Sequence, residues 1–542
     1  MISVRPARKR TTDRVATETD KTPDGKINSI PAPIHGMIDN DSLSAQRPLS
    51  ARVIENMFVT QSGVRVRGGR YKVAMLGAPV TSVFSYESAT LSQMFATTDT
   101  DIYNISALDP AAVPASDVTG QTSGRYSTAQ LGTVGGEYLY AVNGTEKAQL
   151  YDGTTWTTVD GVSTPAITGV TTSNLNYVWT FKSRYWFVEK NSKVAWYLPV
   201  DSIGGAAADF SLKGIFQDGG YLMFGATWSQ DSGDGMDDRI VFVSSLGEVA
   251  VYEGSNPADA ATWGLVGLYK MSPPLGPNAH VRAGGDVIIA TEEGLIPISA
   301  VVQKDPAALA LAAVSAPIEN TWQKYSRSYI GTQPWEIVKW PRENMLMVSL
   351  PSDGNTGLVA NVNTGAWSVY TGWDIQCLTI HSKTCYFGSA DGFIYQAERG
   401  GDDDGTPFVA KLSGYPTGFG STATHKTVNS ARATFLSALE FNPQVSFSTN
   451  YNVDFPAAPT AAAQPTTTAA LWDVGKWDVS LWDDSQTGEY SVRPIYTTNW
   501  VSQGKVGFVV SPQIQITSSG ERRSDAELVS IEVLYSEGGA VV

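Results

Sequence analysis

The sequence predicts an all-β protein organised around a β-propeller of about six or seven blades, with one short helix and an additional β-rich C-terminal region. Three observations carry this reading. The 542 residues include 51 glycines, and Thr, Ser, Val, Tyr and Trp are abundant, a mixture suited to strands joined by many turns. From about residue 50, apolar runs alternate with turn signals, as in EYLYAVNGTEKAQLYDG (137–153), RIVFVSSLGEVAVYEG (239–254) and CYFGSADGFIYQA (385–397). Finally, DGTTW (152–156), DAATW (259–263) and NTGAW (363–367) place Asp or Asn four residues before Trp, at intervals of 107 and 104 residues. Blade repeats run about 40–50 residues, so each interval holds two. A sandwich, or a chain of sandwiches, gives no reason for equal intervals.

In each copy the side chain of Asp152, Asp259 or Asn363 is expected to bond nearby backbone N–H groups and hold a turn. Trp156, Trp263 or Trp367 then starts the returning strand and packs inward. Helical periodicity is confined to DPAALALAAVSAPIENTW (305–322), where Asp305 reads as N-cap and Pro306 as the first helical residue. These elements divide the chain into a polar N-terminal arm (1–45), a propeller core (46–400), a β-rich extension with a Pro/Ala/Thr linker (401–470), and a Trp-repeat segment with a closing β tail (471–542).

Catalytic chemistry is weakly signalled. The four histidines, His35, His280, His381 and His425, are scattered without metal-ligand spacing, and neither a nucleophile elbow nor a phosphate-cradling loop is present. No metal or cofactor is expected. The acidic run DSGDGMDD offers Asp231, Asp234, Asp237 and Asp238 as calcium ligands or as the carboxylates of a propeller glycosidase, against the plainer reading of a solvated loop. Cys377 and Cys385 are too few for a disulfide scaffold; a single hairpin bridge is conceivable beside two free buried thiols. No apolar run reaches the roughly 18 residues of a membrane span.

The net charge of −15 argues against a general nucleic-acid binder. QSGVRVRGGRYKVAM (61–75) runs the other way, with Arg65, Arg67, Arg70 and Lys72 and no acid. It reads as a solvated strand face or as a contact for an acidic partner or DNA phosphate. In ALWDVGKWDVSLWDD, Trp472, Trp477 and Trp482 recur every five residues, a beat that fits neither helix nor strand. Each W-D-V unit reads as a short extended step with Trp as an anchor, on this subunit's own β tail or on a neighbour.

Three segments together, NMFVTQSGVRVRGGRYKVAML (56–76), GLIPISAVVQKDPAALALAAVSAPIENTW (294–322) and LWDVGKWDVSLWDD (471–484), give a pattern that resembles the tail tube or nozzle proteins of short-tailed bacteriophages. That family is also known as tail tubular protein B or packaged-DNA stabilisation proteins. The resemblance implies a non-enzymatic virion tail protein forming a homo-hexameric ring below the portal and its adaptor. Such a ring contacts tail fibres or spikes, continues the DNA channel, retains the packaged genome and opens at infection. On this implication an acidic wall lets DNA slide, and Arg65, Arg67 and Arg70 are candidates to grip the resting double-stranded end. A receptor-binding or other attachment protein is the alternative, and a propeller glycosidase a more distant one.

Overall fold

The computed structural model describes residues 25–231, 236–329, 335–350, 356–462 and 493–540; the side chains of 230–237 and 539–540 are outside the description. Six small sheets are arranged as propeller blades. The first four, at 82–118, 127–159, 175–211 and 222–270, are four-stranded antiparallel meanders, and the fifth, at 280–297, has three strands. The sixth joins Cys377–His381, Thr384–Gly388 and Phe393–Ala397 to Arg70–Met75 from the start of the chain. The arc between the fifth and sixth blades is filled by another four-stranded meander, 336–371, which continues into a larger sheet. Pairing the last strand of the circle with an early one closes the ring without leaving two open edges there.

The Asp/Asn-to-Trp repeat falls where its spacing predicts. Trp156, Trp263 and Trp367 each begin the fourth strand of a meander: the second blade, the fourth blade and the 336–371 unit. One intervening unit separates each pair, so the near-equal intervals do correspond to two units. Trp263 is buried between Trp186 and Tyr252, each at 5.9 Å with near-parallel rings. In the turns, Asp152 Oδ1 accepts from the Thr154 and Thr155 N–H groups, and Asp259 Oδ1 accepts from Ala261 N–H. The third copy departs from expectation. Asn361, not Asn363, holds that turn, its Oδ1 accepting from Asn363 and Thr364 N–H while its amide donates to Val59 O. Moving the turn residue back by two lets one amide serve the turn and the neighbouring strand together.

The helical stretch also differs. Asp305 does accept from Ala307 N–H, with Pro306 following, but 306–318 forms three short 3₁₀ turns, and the ten-residue helix is Glu319–Ser328. Pro317 removes a donor and disfavours continuous helix before it, while Leu309 and Ile318 are wholly buried in two different cores. A one-turn helix, Ile298–Gln303, precedes it. No helix among the described residues is long and apolar enough to cross a membrane.

Strand pairing crosses the boundaries at residues 45 and 400 that the sequence suggests. Lys26–Pro31, within the expected arm, pairs with Ser530–Tyr535 of the long final strand Glu527–Ala540. Ala51–Glu55, Met57–Val59 and Val64–Val66 join the C-terminal strands. A seven-stranded sheet carrying Val428, Ala431, Ala433, Phe435, Ile531 and Val533 packs against the other half of the larger sheet, which supplies Ala410, Leu412, Val445, Phe447, Ile514 and Ile516. Early strands, from Lys26 on, and late strands, up to Ala540, thus build one sandwich beside the propeller. The alternation in Thr424–Leu436 skips a position between Val428 and Ala431, where a bulge shifts the register. The start of the linker is tied down, with Pro456 O and Pro459 O accepting from Gln515 and Thr517 side chains.

Cys377 and Cys385 are both free and buried. They sit on opposite faces of one hairpin, each in a different core, so the possible bridge does not form.

Candidate functional site

The Arg-Gly-Gly segment sits where the propeller joins the sandwich, and its arginines point inward. Arg67 is fully buried. Its guanidinium forks onto Asp403 at 2.7 and 2.9 Å and also donates to Asn56 Oδ1, Gly68 O and Thr371 O, which uses all five N–H donors. It lies 3.8 Å from the Phe408 ring centroid. Arg65, with 11% of its side chain exposed, pairs with Glu398 at 2.9 Å and Glu343 at 3.2 Å. Neither arginine is free to meet DNA: the chain itself supplies each partner carboxylate, with Asp403 and Glu398 buried and Glu343 20% exposed. Burial works against the charge on Arg65, but Glu398, Tyr370 and Glu343 outweigh it and hold the guanidinium protonated. Arg70 is half-buried, 4.5 Å from the Tyr395 ring centroid, at the pairing of the closing strand with the sixth blade.

Glu398 is the hub of this junction. One oxygen receives Arg65, Arg523 and Gly68 N–H, each at 2.9 Å, and the other receives the Tyr370 hydroxyl at 2.8 Å. Burial alone would raise this carboxyl, but Arg65, Arg523 and the hydrogen bonds pull it down to about 2. Asn56, at φ 56°, takes the left-handed turn that feeds this junction, a conformation Asn tolerates. The two glycines are explained by contact: a Cβ on Gly68 would stand 2.5 Å from Glu398 O, and one on Gly69 would stand 1.7 Å from Asp402 O. Gly69→Ala is therefore expected to cost several-fold more stability than Gly504→Ala, whose Cβ would meet nothing within 4 Å though its φ is +58°. Urea unfolding of the two variants checks this, and equal midpoints would count against the tight crossing.

The other sequence-selected residues divide as follows. Asp238 accepts from Ser229 Oγ at 2.6 Å and pairs with Lys182 at 3.6 Å. Asp234 and the side chains of Asp231 and Asp237 lie outside the described residues, as do Trp472, Trp477 and Trp482. Among the described residues no group of three His, Cys, Asp or Glu side chains could hold a metal ion.

Sequence reading missed the axis of the propeller. Two adjoining cavities of about 400 and 410 Å³ are lined by the inner strands of successive blades and share Thr128, Tyr177 and His280. His280 Nε2 is 3.0 Å from the Tyr177 hydroxyl, and its ring stacks flat on Phe224 at 4.2 Å. Burial lowers His280 to about 4, so the ring is neutral at physiological pH. Glu336 opens the inner strand Glu336–Trp340; its Oε2 accepts from Leu378 N–H at 2.8 Å and its Oε1 from the Asn278 amide at 3.4 Å. Burial raises this carboxyl, against the pull of Leu378 N–H, Arg125 and Asn278. The signal missed was that a lone His or Glu at a blade's inner edge gains its meaning from other blades.

Among the described residues, two sheet edges on the outer surface are apolar. Trp263–Lys270, the last strand of the fourth blade, pairs on one side and exposes Leu265, Val266 and Leu268. Ile495–Thr497 and Val501–Gly507 both pair with Thr424–Leu436 at the rim of the sandwich and expose Ile495, Tyr496, Trp500, Val501 and Val506.

No protein-family model matches the chain, and no curated protein does. Among solved structures it is similar to the β-propeller domain of Myceliophteria thermophila Cps50 (Swd1), at 10% identity and TM-score 0.39, over 61% of this chain and 99% of that one. It is similar also to YCF48 from Cyanidioschyzon merolae (9%, TM-score 0.35, 61% and 98%) and to the computationally designed Ika8 protein (9%, TM-score 0.34, 60% and 98%). At these scores the likenesses carry no argument, and the propeller rests on the chain's own strand pairing.

Proposed function

We propose that this chain is a structural component of a short bacteriophage tail, in which copies of it assemble into a closed ring that continues the DNA channel below the portal and adaptor. The observation that carries the reading is the pair of apolar edges left unpaired among the described residues, on the fourth blade and on the sandwich rim, borne by a propeller and sandwich locked together by buried ion pairs. An exposed edge rich in Val, Leu and Trp is a template for another chain. Two different patches on one body suit the head-to-tail contact that closes a ring, each edge meeting the other kind on the next copy. The resemblance of the sequence to tail nozzle proteins supplies the setting, and the net charge of −15 suits a wall past which DNA slides. Glycoside cleavage is less well supported: it takes two carboxylates, and Glu336 is the one carboxylate among the described residues lining the axial cavities.

Mass measurement in solution, with electron microscopy of the protein and of virions carrying it, tests the reading. Rings with a central hole, seated below the portal, are expected. A monomer that never enters the virion would sink it. The double variant Val501→Glu, Val506→Glu is expected to abolish ring formation while leaving the unfolding free energy within about 0.5 kcal/mol of the parent, since both side chains are exposed. Rings that persist in that variant would exclude the sandwich rim from the contact.

A further inference from the structure

We infer that the axial cavities form a binding site for a small neutral polyhydroxylated ligand, of mono- or disaccharide size, held between Asn278, Glu336, Tyr177 and the hydroxyls of Thr128 and Thr379. The combined space fits the roughly 300–1,000 Å³ typical of small-molecule sites, and it lies where strands from different blades converge.

The chemistry of the lining selects the ligand. Glu336 Oε2 is engaged by Leu378 N–H at 2.8 Å, whereas Oε1 receives one long bond of 3.4 Å from Asn278 and retains acceptor capacity. A ligand hydroxyl donating to Oε1 would complete it, and the Asn278 amide beside it can donate to a neighbouring hydroxyl oxygen. That alternation of acceptor and donor is what a vicinal diol matches. Tyr177 and its partner His280 can each donate or accept, and Thr128 and Thr379 add rotatable hydroxyls. Tyr126 and Tyr177 bring aromatic side chains to the same lining.

The same lining disfavours charged ligands. Among the described lining residues Arg282 is the one cation, and it donates to Ser229 Oγ at 2.8 Å, while Glu336 repels an anion from the adjoining cavity. A cation would find a single, already hydrogen-bonded carboxylate in a place where burial penalises charge. The inference is independent of ring assembly.

The test is titration calorimetry of the full chain at pH 7 with glucose, galactose, N-acetylglucosamine and their β-linked disaccharides, alongside inorganic phosphate and spermidine. Saturable binding of at least one sugar, one per chain, is expected, weakened tenfold or more by Asn278→Ala and by Glu336→Gln. Thermal unfolding of each variant separates lost binding from lost folding, and Thr379→Val, a near-isosteric change at the cavity wall, gives a second variant should either fail to fold. No saturable binding by any sugar, binding indifferent to all three changes, or binding of phosphate or spermidine instead would each overturn the inference.

Discussion

Replacing Arg67 by alanine is expected to destabilise the protein by about 3–5 kcal/mol, the range for removing one partner of a buried ion pair. The loss extends beyond the Asp403 bridge. Asp403 would keep only Trp373 Nε1–H at 2.9 Å and its weaker neighbours, and Asn56 Oδ1, Gly68 O and Thr371 O would lose donors in a place water does not reach. Arg67→Lys is expected to recover little, because an ammonium cannot fork onto a carboxylate and reach the three carbonyl oxygens as well. For the same reason, removing both charges, as in Arg67→Met with Asp403→Leu, should not restore the parent stability. Urea unfolding followed by tryptophan fluorescence measures this. A loss below about 1 kcal/mol for Arg67→Ala would place the guanidinium in solvent and revive it as a surface contact.

Acidification is expected to destabilise the protein in two stages. Glu398 is held at about 2 in the folded protein against an ordinary 4.5. Its contribution is therefore complete above pH 4.5 and is lost as pH falls toward 2, because the unfolded chain takes up the proton first. That displacement is worth on the order of 3 kcal/mol. Glu527 acts in the same direction: burial pushes it up, but Thr60, Ser62 and Arg493 lower it on balance. His280 acts earlier. Its folded value of about 4 lies below the usual 6.5, so the unfolded chain gains a proton first and stability falls between pH 6.5 and 4. Unfolding midpoints from pH 7 to 2.5 should thus show a shallow decline followed by a steeper one. In Glu398→Gln the steeper part should shrink, and the variant should already be weaker than the parent at pH 7 because Arg65 and Arg523 then share Glu343 alone. An unchanged profile below pH 4.5 would show that Glu398 is not the group being titrated.

Much of the propeller was legible because its signals are local. An Asp side chain that closes its own turn, followed by a Trp that starts a strand, needs only four or five residues, and such units repeat wherever a meander ends. Where the local rule had a competitor it failed in an instructive way. Asn361 displaced Asn363 because its amide could also reach Val59 O, 302 residues earlier in the chain. The Ala/Leu-rich stretch before Glu319 has helical composition, but Pro317 and the need to bury Leu309 and Ile318 in different cores broke it into 3₁₀ turns. The candidate site was less legible. Four positive residues in fifteen looked like a surface for phosphate, and nothing nearby in the sequence opposes them. Their partners, Glu398 and Asp403, stand 333 and 336 residues away.

From the sequence alone, then, came the alternation of strands and turns, the two-unit interval and the placing of two of the three turn residues, Asp152 and Asp259, since hydrogen bonds within a few residues decide them. The tertiary structure alone decided that the early strand Arg70–Met75 closes the ring, that early and late strands share one sandwich, that the arginines face inward, and that Tyr177, His280 and Glu336 meet on an axis. Each of these pairs groups a hundred or more residues apart or spans several blades. Their meeting depends on how sheets close and pack, which no local window of sequence contains.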